Sequence, residues 1–301
     1  MNRRWFGFIV FAMIPISGQA APGDAASYVN TLIGTQRSTL GYGGTMPFVT
    51  TPFGMTSWTA QTRQNKISVT SYNYDDPTIS GFIGTHQPAI WMGDYGYVTL
   101  MPQIGALRTT PESRKLPYSH RTEKAQPDYY SVALEADAGQ TILAEMTATE
   151  RCAMLRFTFP SGVPSRVLVE AARPGIAGLA SVDPRKNEIS GYNPDRMDAH
   201  LGPFALPNFK GYFVVQFRQS PAQMKTYGMD RPNGGSSRGA YAEFPPGQTV
   251  EVRVGTSFLS ADQARANLAH ELPGWDFQAV QRNLRAKWND KLSRIEVKGA
   301  T

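Results

Sequence analysis

Alternating apolar and polar positions recur along the chain and predict β-strands. Residues 249–254 alternate valine with polar residues, and residues 152–159 and 213–218 alternate apolar and polar side chains in the same way. Because successive side chains on a strand point to opposite faces, each run predicts a strand with one buried face. Prolines and glycines separate the runs, and no repeat of 20–50 residues is visible, which argues against propellers and solenoids. The pattern favours an all-β fold, a large sandwich of two antiparallel sheets.

The pattern changes to a helical period after Ser260. Ser260 and Gln263 have the spacing of a capping box, and a second helix is predicted to begin near Asp276. We further expect a short strand at residues 295–297. The second helix carries an apolar stripe with two open interpretations, packing on the sandwich or docking a domain absent from this chain. The stripe consists of Phe277, Val280, Leu284, Trp288 and Leu292.

The first twenty residues have the composition of an export signal. Arg3 and Arg4 precede an apolar run that is too short to span a bilayer, and small residues follow at the predicted cleavage site after Ala20 or Ala21. We therefore expect an exported protein, periplasmic or secreted, with no membrane attachment after cleavage. Removal of the two arginines lowers the net charge from +6 to +4.

Composition narrows the function classes. The chain of 301 residues is 41% hydrophobic and 18% charged, which is typical of a globular protein with a sizeable core. Its basic residues are scattered and accompany no nucleic-acid-binding motif, so no nucleic-acid partner is expected. Cys152 is the single cysteine, which excludes an internal disulfide. It lies in a predicted strand and is interpreted as a core residue.

Residues 72–96 are the strongest candidate for a ligand site. They concentrate histidine, tryptophan, aspartate and glycine in loop-like sequence, where binding residues are often found. Trp91, if held at a loop tip, can stack on the apolar face of a sugar, while His86 and Asp94 can hydrogen-bond hydroxyl groups. The alternative is that Trp91 closes the end of the sandwich and His86 is a structural histidine. Both readings remain open at this point.

A second candidate is the glycine-rich loop that contains Gly43 and Gly44. Glycines allow backbone amides to approach a ligand closely, although they equally describe a tight connection between strands. The loop lacks the signature of a phosphate-binding loop. Asp75 and Asp76 are the one conspicuous acidic pair, and a turn before Pro77 explains them more simply than a pair of catalytic carboxylates. The four histidines show no metal-ligand spacing.

Several short motifs together resemble the N-terminal region of glycoside hydrolase family 92. They occur in order along nearly the whole chain after the predicted signal. They are YVNTLIGT at 28–35, TPFGM at 51–55, YDDP at 74–77, GF at 81–82, THQP at 85–88, GDYG at 93–96, TER at 149–151, GYN at 191–193, NFKGYF at 208–213 and PGWDF at 273–277.

The resemblance implies an architecture and an activity. Members of that family are exported, calcium-dependent, inverting exo-α-mannosidases that trim N-glycan or mannan chains. They combine a galactose-mutarotase-like β-supersandwich with a helical linker and an (α/α)6 barrel. The barrel supplies the general acid, the general base and the calcium ligands. By motif match, the sandwich would shape the sugar subsites through Gly43, Gly44, His86, Trp91 and Asp94.

The resemblance also implies a division of the chain. We expect a signal peptide at 1–20, the sandwich at 21–260, and a helical linker with a terminal strand at 261–301 that leads towards a barrel absent from this chain. No catalytic residue or calcium ligand is then expected here, and the chain alone is expected to be inactive. The apolar stripe is now expected to dock an absent domain. The alternatives are a stand-alone module that binds mannose-containing glycans and a structural partner of a separately encoded barrel acting in trans.

Overall fold

The computed structural model describes residues 23–36, 44–64, 66–87, 89–197, 208–228 and 238–295. Within them, the main secondary structure is antiparallel strands, which form two large sheets. The predicted signal and Gly43 lie outside the described residues, as do Glu296 and Val297 of the predicted final strand. No helix in the described part of the chain is long and apolar enough to span a membrane.

The first large sheet has six strands. Neighbouring strands are antiparallel throughout. In spatial order they are β1 (Ser57–Gln61), β3 (Gly81–Thr85), β4 (Val98–Ile104), β10 (Ser165–Ala172), β15 (Arg238–Phe244) and β14 (Gln223–Tyr227).

The second large sheet has eight strands and is also antiparallel. A two-stranded sheet of β2 (Thr78–Ile79) and β5 (Leu116–Pro117) lies apart from both. The eight strands in spatial order are β11 (Leu179–Asp183), β12 (Glu188–Asn193), β13 (Gly211–Phe217), β16 (Thr249–Ser257), β9 (Cys152–Thr158), β8 (Thr141–Ala148), β7 (Tyr129–Glu135) and β6 (Lys124–Gln126).

The two large sheets face each other across one apolar core. The ring of Phe82 on the six-stranded sheet lies 5.9 Å from that of Phe157 on the eight-stranded sheet, and the rings of Phe217 and Phe244 approach to 5.4 Å across the same interface. All four side chains are buried in one cluster. The predicted all-β sandwich is therefore confirmed.

Three α-helices complete the described fold: α1 (Pro111–Arg114), α2 (Ala261–Glu271) and α3 (Phe277–Leu292). Ser260 caps α2 by accepting a hydrogen bond from the Gln263 backbone amide at 3.0 Å, as its sequence position predicts. Helix α2 covers the outer face of the eight-stranded sheet. Its Leu268 packs there in one cluster with Cys152 and Val214. Cys152 is thus a core residue, and Val214, which lies in the polar phase of its strand, is nevertheless buried.

Helix α3 packs on the sandwich of its own chain. Leu284 is buried in the main core, and the indole Nε1 of Trp288 donates a hydrogen bond to the Thr50 carbonyl oxygen at 2.7 Å. Phe277 meets the Tyr129 ring edge to face. The expectation that this stripe docks an absent domain is therefore wrong. The eight-stranded sheet has an outer apolar surface that α3 covers, a surface that the strand alternation alone does not reveal.

Candidate functional site

Three residues that are distant in sequence meet at one end of the sandwich. Thr56 comes directly before β1 and His86 directly after β3. Ser57 pairs with Thr85 in the antiparallel ladder, so the start of β1 and the end of β3 lie side by side. Thr256, near the end of β16, contacts Thr56 from the other sheet, with 2.7 Å between their hydroxyl oxygens. The two sheets are therefore joined at this end through polar side chains.

His86 is a buried histidine with both ring nitrogens engaged. Its Nδ1 lies 2.8 Å from the Tyr95 carbonyl oxygen, and its Nε2 lies 3.1 Å from the Thr56 hydroxyl oxygen. The ring packs against Tyr95 and Phe258. Burial lowers the pKa of His86 to about 4, partly opposed by the hydrogen bond to the Tyr95 backbone. The imidazole is therefore neutral at neutral pH and has the environment of a structural residue.

Asp94 closes the loop that carries Trp91. The carboxylate is fully buried and accepts hydrogen bonds from the Thr85 hydroxyl at 2.6 Å and from the backbone amides of His86 and Tyr95 at 2.9 and 2.8 Å. Charge-assisted bonds of this kind hold both ends of a loop together. The structure thus gives Asp94 a structural task and no exposed surface for a sugar hydroxyl.

Trp91 lies at the tip of the loop that Asp94 closes. Its side chain is 68% exposed, at a turn in which the Met92 amide donates to the Ala89 carbonyl oxygen at 3.0 Å. The Gln87 side-chain amide supports the turn by donating to the Met92 carbonyl oxygen at 2.8 Å. Trp91 therefore does not close the end of the sandwich. Its ring is exposed to solvent, on a turn that the Gln87 side chain holds by a hydrogen bond.

Gly44 lies in a different neighbourhood. Its amide donates to the Gly34 carbonyl oxygen at 2.9 Å, and Thr45 fastens the same segment through a 2.6 Å bond to Ile33. None of the hydrogen bonds among the described residues joins Gly44 to His86, Trp91 or Asp94. The structure thus brings three of the predicted site residues together and places Gly44 against the N-terminal segment.

Sequence reasoning missed Phe53, which is 97% exposed. Phe53 has a φ of 66°, in the left-handed region that side chains other than glycine seldom adopt. The loop is fixed behind it, because the amides of Met55 and Thr56 donate to the Glu150 carbonyl oxygen at 2.8 and 3.2 Å. The sequence signal that could have drawn attention to Phe53 was the TPFGM motif, which lies against the TER motif in the fold.

A close approach of two glycines holds the far side of the Trp91 loop. A Cβ on Gly96 would lie 2.7 Å from the Gly211 Cα, and a Cβ on Gly211 would lie 2.3 Å from the Gly96 Cα. Gly96 also has a φ of 62° and donates to the Asp195 carbonyl oxygen at 3.0 Å. Only residues without a side chain fit this joint, which brings the GDYG and NFKGYF motifs into contact.

The structure supports the turn interpretation of Asp75 and Asp76. Asp76 accepts hydrogen bonds from the Thr62 hydroxyl and from Arg63 Nε, each at 2.7 Å, and the Asp75 amide donates to the Asn73 side chain at 3.0 Å. Among the described residues, no group of three or more His, Cys, Asp or Glu side chains is placed to hold a metal ion.

Comparison with known protein families identifies the sandwich. Residues 28–257 match the model of the glycosyl hydrolase family 92 N-terminal domain. The chain belongs to glycosyl hydrolase family 92. Residues 263–301, which include most of α2 and all of α3, match the catalytic-domain model of the same family. The helices that follow the sandwich thus correspond to family 92 sequence assigned to the catalytic part.

Individual relatives agree with the family assignment. A protein of Arthroderma benhamiae is described as an uncharacterized secreted glycosidase. It is 26% identical in an alignment 312 positions long, which covers 92% of this chain and 39% of that protein. The solved family 92 inverting mannosidase of Bacteroides thetaiotaomicron VPI-5482 is 31% identical, with a TM-score of 0.80 over 92% of this chain and 37% of the other.

A second solved structure, a family 92 α-mannosidase of Bacteroides thetaiotaomicron, is 24% identical with a TM-score of 0.73 over 92% of this chain and 39% of the other, and supports the fold. This chain therefore spans less than two fifths of the length of these relatives.

Proposed function

We propose that this family 92 sandwich shapes the sugar site of an exported, inverting α-mannosidase of the α-1,2 type that acts on N-glycan or mannan chains. The observation that carries the proposal is the exposed ring of Trp91 on a turn fixed from beneath, in a chain whose solved relative is an inverting mannosidase. An aromatic face of this kind stacks on the C–H face of a sugar while polar groups nearby set its orientation.

In this proposal the catalytic groups come from elsewhere. Inversion at a glycosidic bond uses two carboxyl groups about 6.5–9.5 Å apart with a water between them. The conspicuous acidic residues of the sandwich are engaged in turns and ion pairs, so we assign the acid, the base and any calcium ligands to a catalytic barrel. The exposed side chains of Phe53 and Leu259, 97% and 76% accessible, are where we expect that barrel to contact the sandwich.

The first test measures hydrolysis. The full chain, purified and supplied with calcium, is incubated with an aryl α-mannoside or α-1,2-mannobiose, alone and with a separately expressed family 92 catalytic barrel. We expect no turnover by the chain alone and turnover in the mixture. Turnover by the rigorously purified chain alone contradicts the assignment of the catalytic groups to another domain.

The second test locates the sugar. We expect α-1,2-mannobiose at millimolar concentration to shift the indole NMR signal of Trp91, with weak affinity because in this proposal a barrel supplies the other half of the site. Trp91→Ala should abolish the remaining sugar-induced shifts. Tyr28→Ala removes a ring that is 88% exposed at the N-terminal turn and serves as the matched control. Shifts that survive Trp91→Ala contradict a site on this loop.

The third test concerns export. Expression of the chain with and without residues 1–20 should yield protein outside the cytoplasm only when those residues are present, because their basic start and apolar run have the form of an export signal. Equal export of both forms contradicts this part of the proposal.

A further inference from the structure

We infer that His86 is a positioning residue, which locks the base of the Trp91 turn to the loop of Phe53 and to the end of β16. Its imidazole belongs to a line of hydrogen-bonding groups, the His86 line, that runs from one sheet to the other. The inference rests on the proposed function only where it concerns sugar. The linkage itself follows from contacts between described residues.

The line begins and ends on backbone carbonyl oxygens. It runs from the Tyr95 carbonyl oxygen to His86, then to the hydroxyls of Thr56 and Thr256, and ends at the Arg151 carbonyl oxygen. Its four contacts measure 2.8, 3.1, 2.7 and 2.8 Å in that order. Both terminal groups can only accept a proton, so every donor must come from the three side chains between them.

Counting protons determines the tautomer. Burial lowers the pKa of His86 to about 4, so at neutral pH the imidazole has one proton, and each threonine hydroxyl contributes one more. Three protons serve four contacts. The carbonyl oxygens at the two ends of the line cannot donate, so the contact with Tyr95 takes the imidazole proton and the contact with Arg151 takes the Thr256 hydroxyl proton. His86 therefore holds its proton on Nδ1, and its Nε2 is the acceptor that faces the Thr56 hydroxyl.

This arrangement couples the two exposed aromatic residues. On one side, the His86 amide donates to the Asp94 carboxylate that closes the Trp91 loop. On the other side, Thr56 continues directly from the segment of Phe53, and its amide is held by Glu150 at 3.2 Å. A change of the His86 tautomer, or loss of the Thr56 hydroxyl, therefore moves the supports of both rings while leaving the apolar core unchanged.

The test uses ¹⁵N NMR of the full chain. We expect the His86 ring signals of a neutral imidazole protonated on Nδ1. Thr56→Val removes the hydroxyl that faces Nε2 and should change these ring signals, shift the Trp91 indole signal and weaken α-1,2-mannobiose binding at least threefold. Thr56→Ser keeps the hydroxyl and should restore all three. The matched control is Thr249→Val at the opposite end of β16, where the Thr249 hydroxyl lies 3.1 Å from that of Thr158.

Each outcome decides the inference. A wild-type His86 protonated on Nε2 overturns it, as does a folded Thr56→Val protein whose Trp91 signal is unchanged. Equal effects of Thr56→Val and Thr249→Val overturn it as well, because they indicate a general loss of stability. If Thr56→Val fails to fold, the wild-type tautomer and the Thr256→Val protein decide. If the ring signals and the Trp91 shifts are as expected but the wild type binds no sugar, the positioning role of His86 is supported. Only the proposed function is then contradicted.

Discussion

Helix α3 and the loop of Trp91 both present apolar side chains, and the fold treats them in opposite ways. The stripe of α3 packs on the sandwich, where Phe277 and Leu284 are buried and Leu284 is only 2% exposed. The Trp91 loop is held just as firmly at its base, yet its indole ring is 68% exposed. The apolar stripe thus finds its packing partner within the same chain. The single aromatic ring, on a turn held by hydrogen bonds, stays exposed to solvent. The second arrangement is the one on which we base the proposed sugar contact, because an exposed aromatic face can stack on a sugar ring.

The largest expected effect tests the buried side of this comparison. Leu284→Ala should lower the free energy of unfolding by about 2–5 kcal/mol, because it opens a cavity between α3 and the core. Leu259→Ala, at a position 76% exposed, is the control and should change it by less than about 0.5 kcal/mol. Urea denaturation measures both. Similar small losses would show that α3 contributes little to the fold.

An intermediate effect is expected from mild acid at the end of the sandwich that holds His86. Burial lowers the pKa of His86 to about 4 from 6.5, so the unfolded chain takes up a proton at His86 before the folded chain does. Its contribution to stability is therefore lost as pH falls from about 6.5 towards 4, by about 2 kcal/mol between pH 8 and pH 5.

Urea denaturation of the wild type and His86→Gln over this pH range checks the acid effect. The variant should lack this part of the pH dependence. An identical dependence in both proteins contradicts a neutral, buried His86.

The hydrogen bond that a second imidazole proton would add does not change the conclusion that His86 is neutral. A doubly protonated imidazole would supply the missing proton and complete all four hydrogen bonds, a gain of about 0.5–1.5 kcal/mol. The lowered pKa corresponds to about 3 kcal/mol against the charged form. Burial is the larger effect, so the neutral form prevails until the pH approaches 4.

The smallest effect is expected at the exposed side of the comparison. Phe53→Asn should leave stability unchanged or raise it by up to about 1 kcal/mol, because asparagine tolerates the left-handed backbone at φ 66° better than phenylalanine does. Leu107→Asn, at another exposed apolar position, is the control for loss of surface hydrophobicity. A clear loss of stability in Phe53→Asn alone would mean that the Phe53 ring packs within the chain.

The strands were predictable because their burial is periodic. Val250, Val252 and Val254 are all fully buried as their alternation indicates. Val214 shows where the same reasoning stops, since α2 covers the outer face of its strand and buries the opposite phase as well. The fate of the α3 stripe was equally hidden, because a stripe shows that a partner surface exists without identifying it.

The candidate site was predictable in position and not in detail. The loop composition drew attention to His86, Trp91 and Asp94, and the structure does bring these three together. The task of His86 depends on a remote segment, because its Nε2 faces Thr56, which in turn contacts Thr256 on the other sheet. Local sequence contains no sign of that contact, so a buried structural histidine and a sugar-binding one look the same until the sheets are assembled.

The glycine joint between Gly96 and Gly211 marks a boundary for protein engineering. Each position is filled by the backbone of the other, so a side chain introduced on either one cannot be accommodated by trimming its neighbour. Trp91 and Phe53, by contrast, are exposed, so we expect their replacement to change the free energy of unfolding little. Loops grafted onto this sandwich should therefore replace segments around these exposed residues and keep both glycines in place.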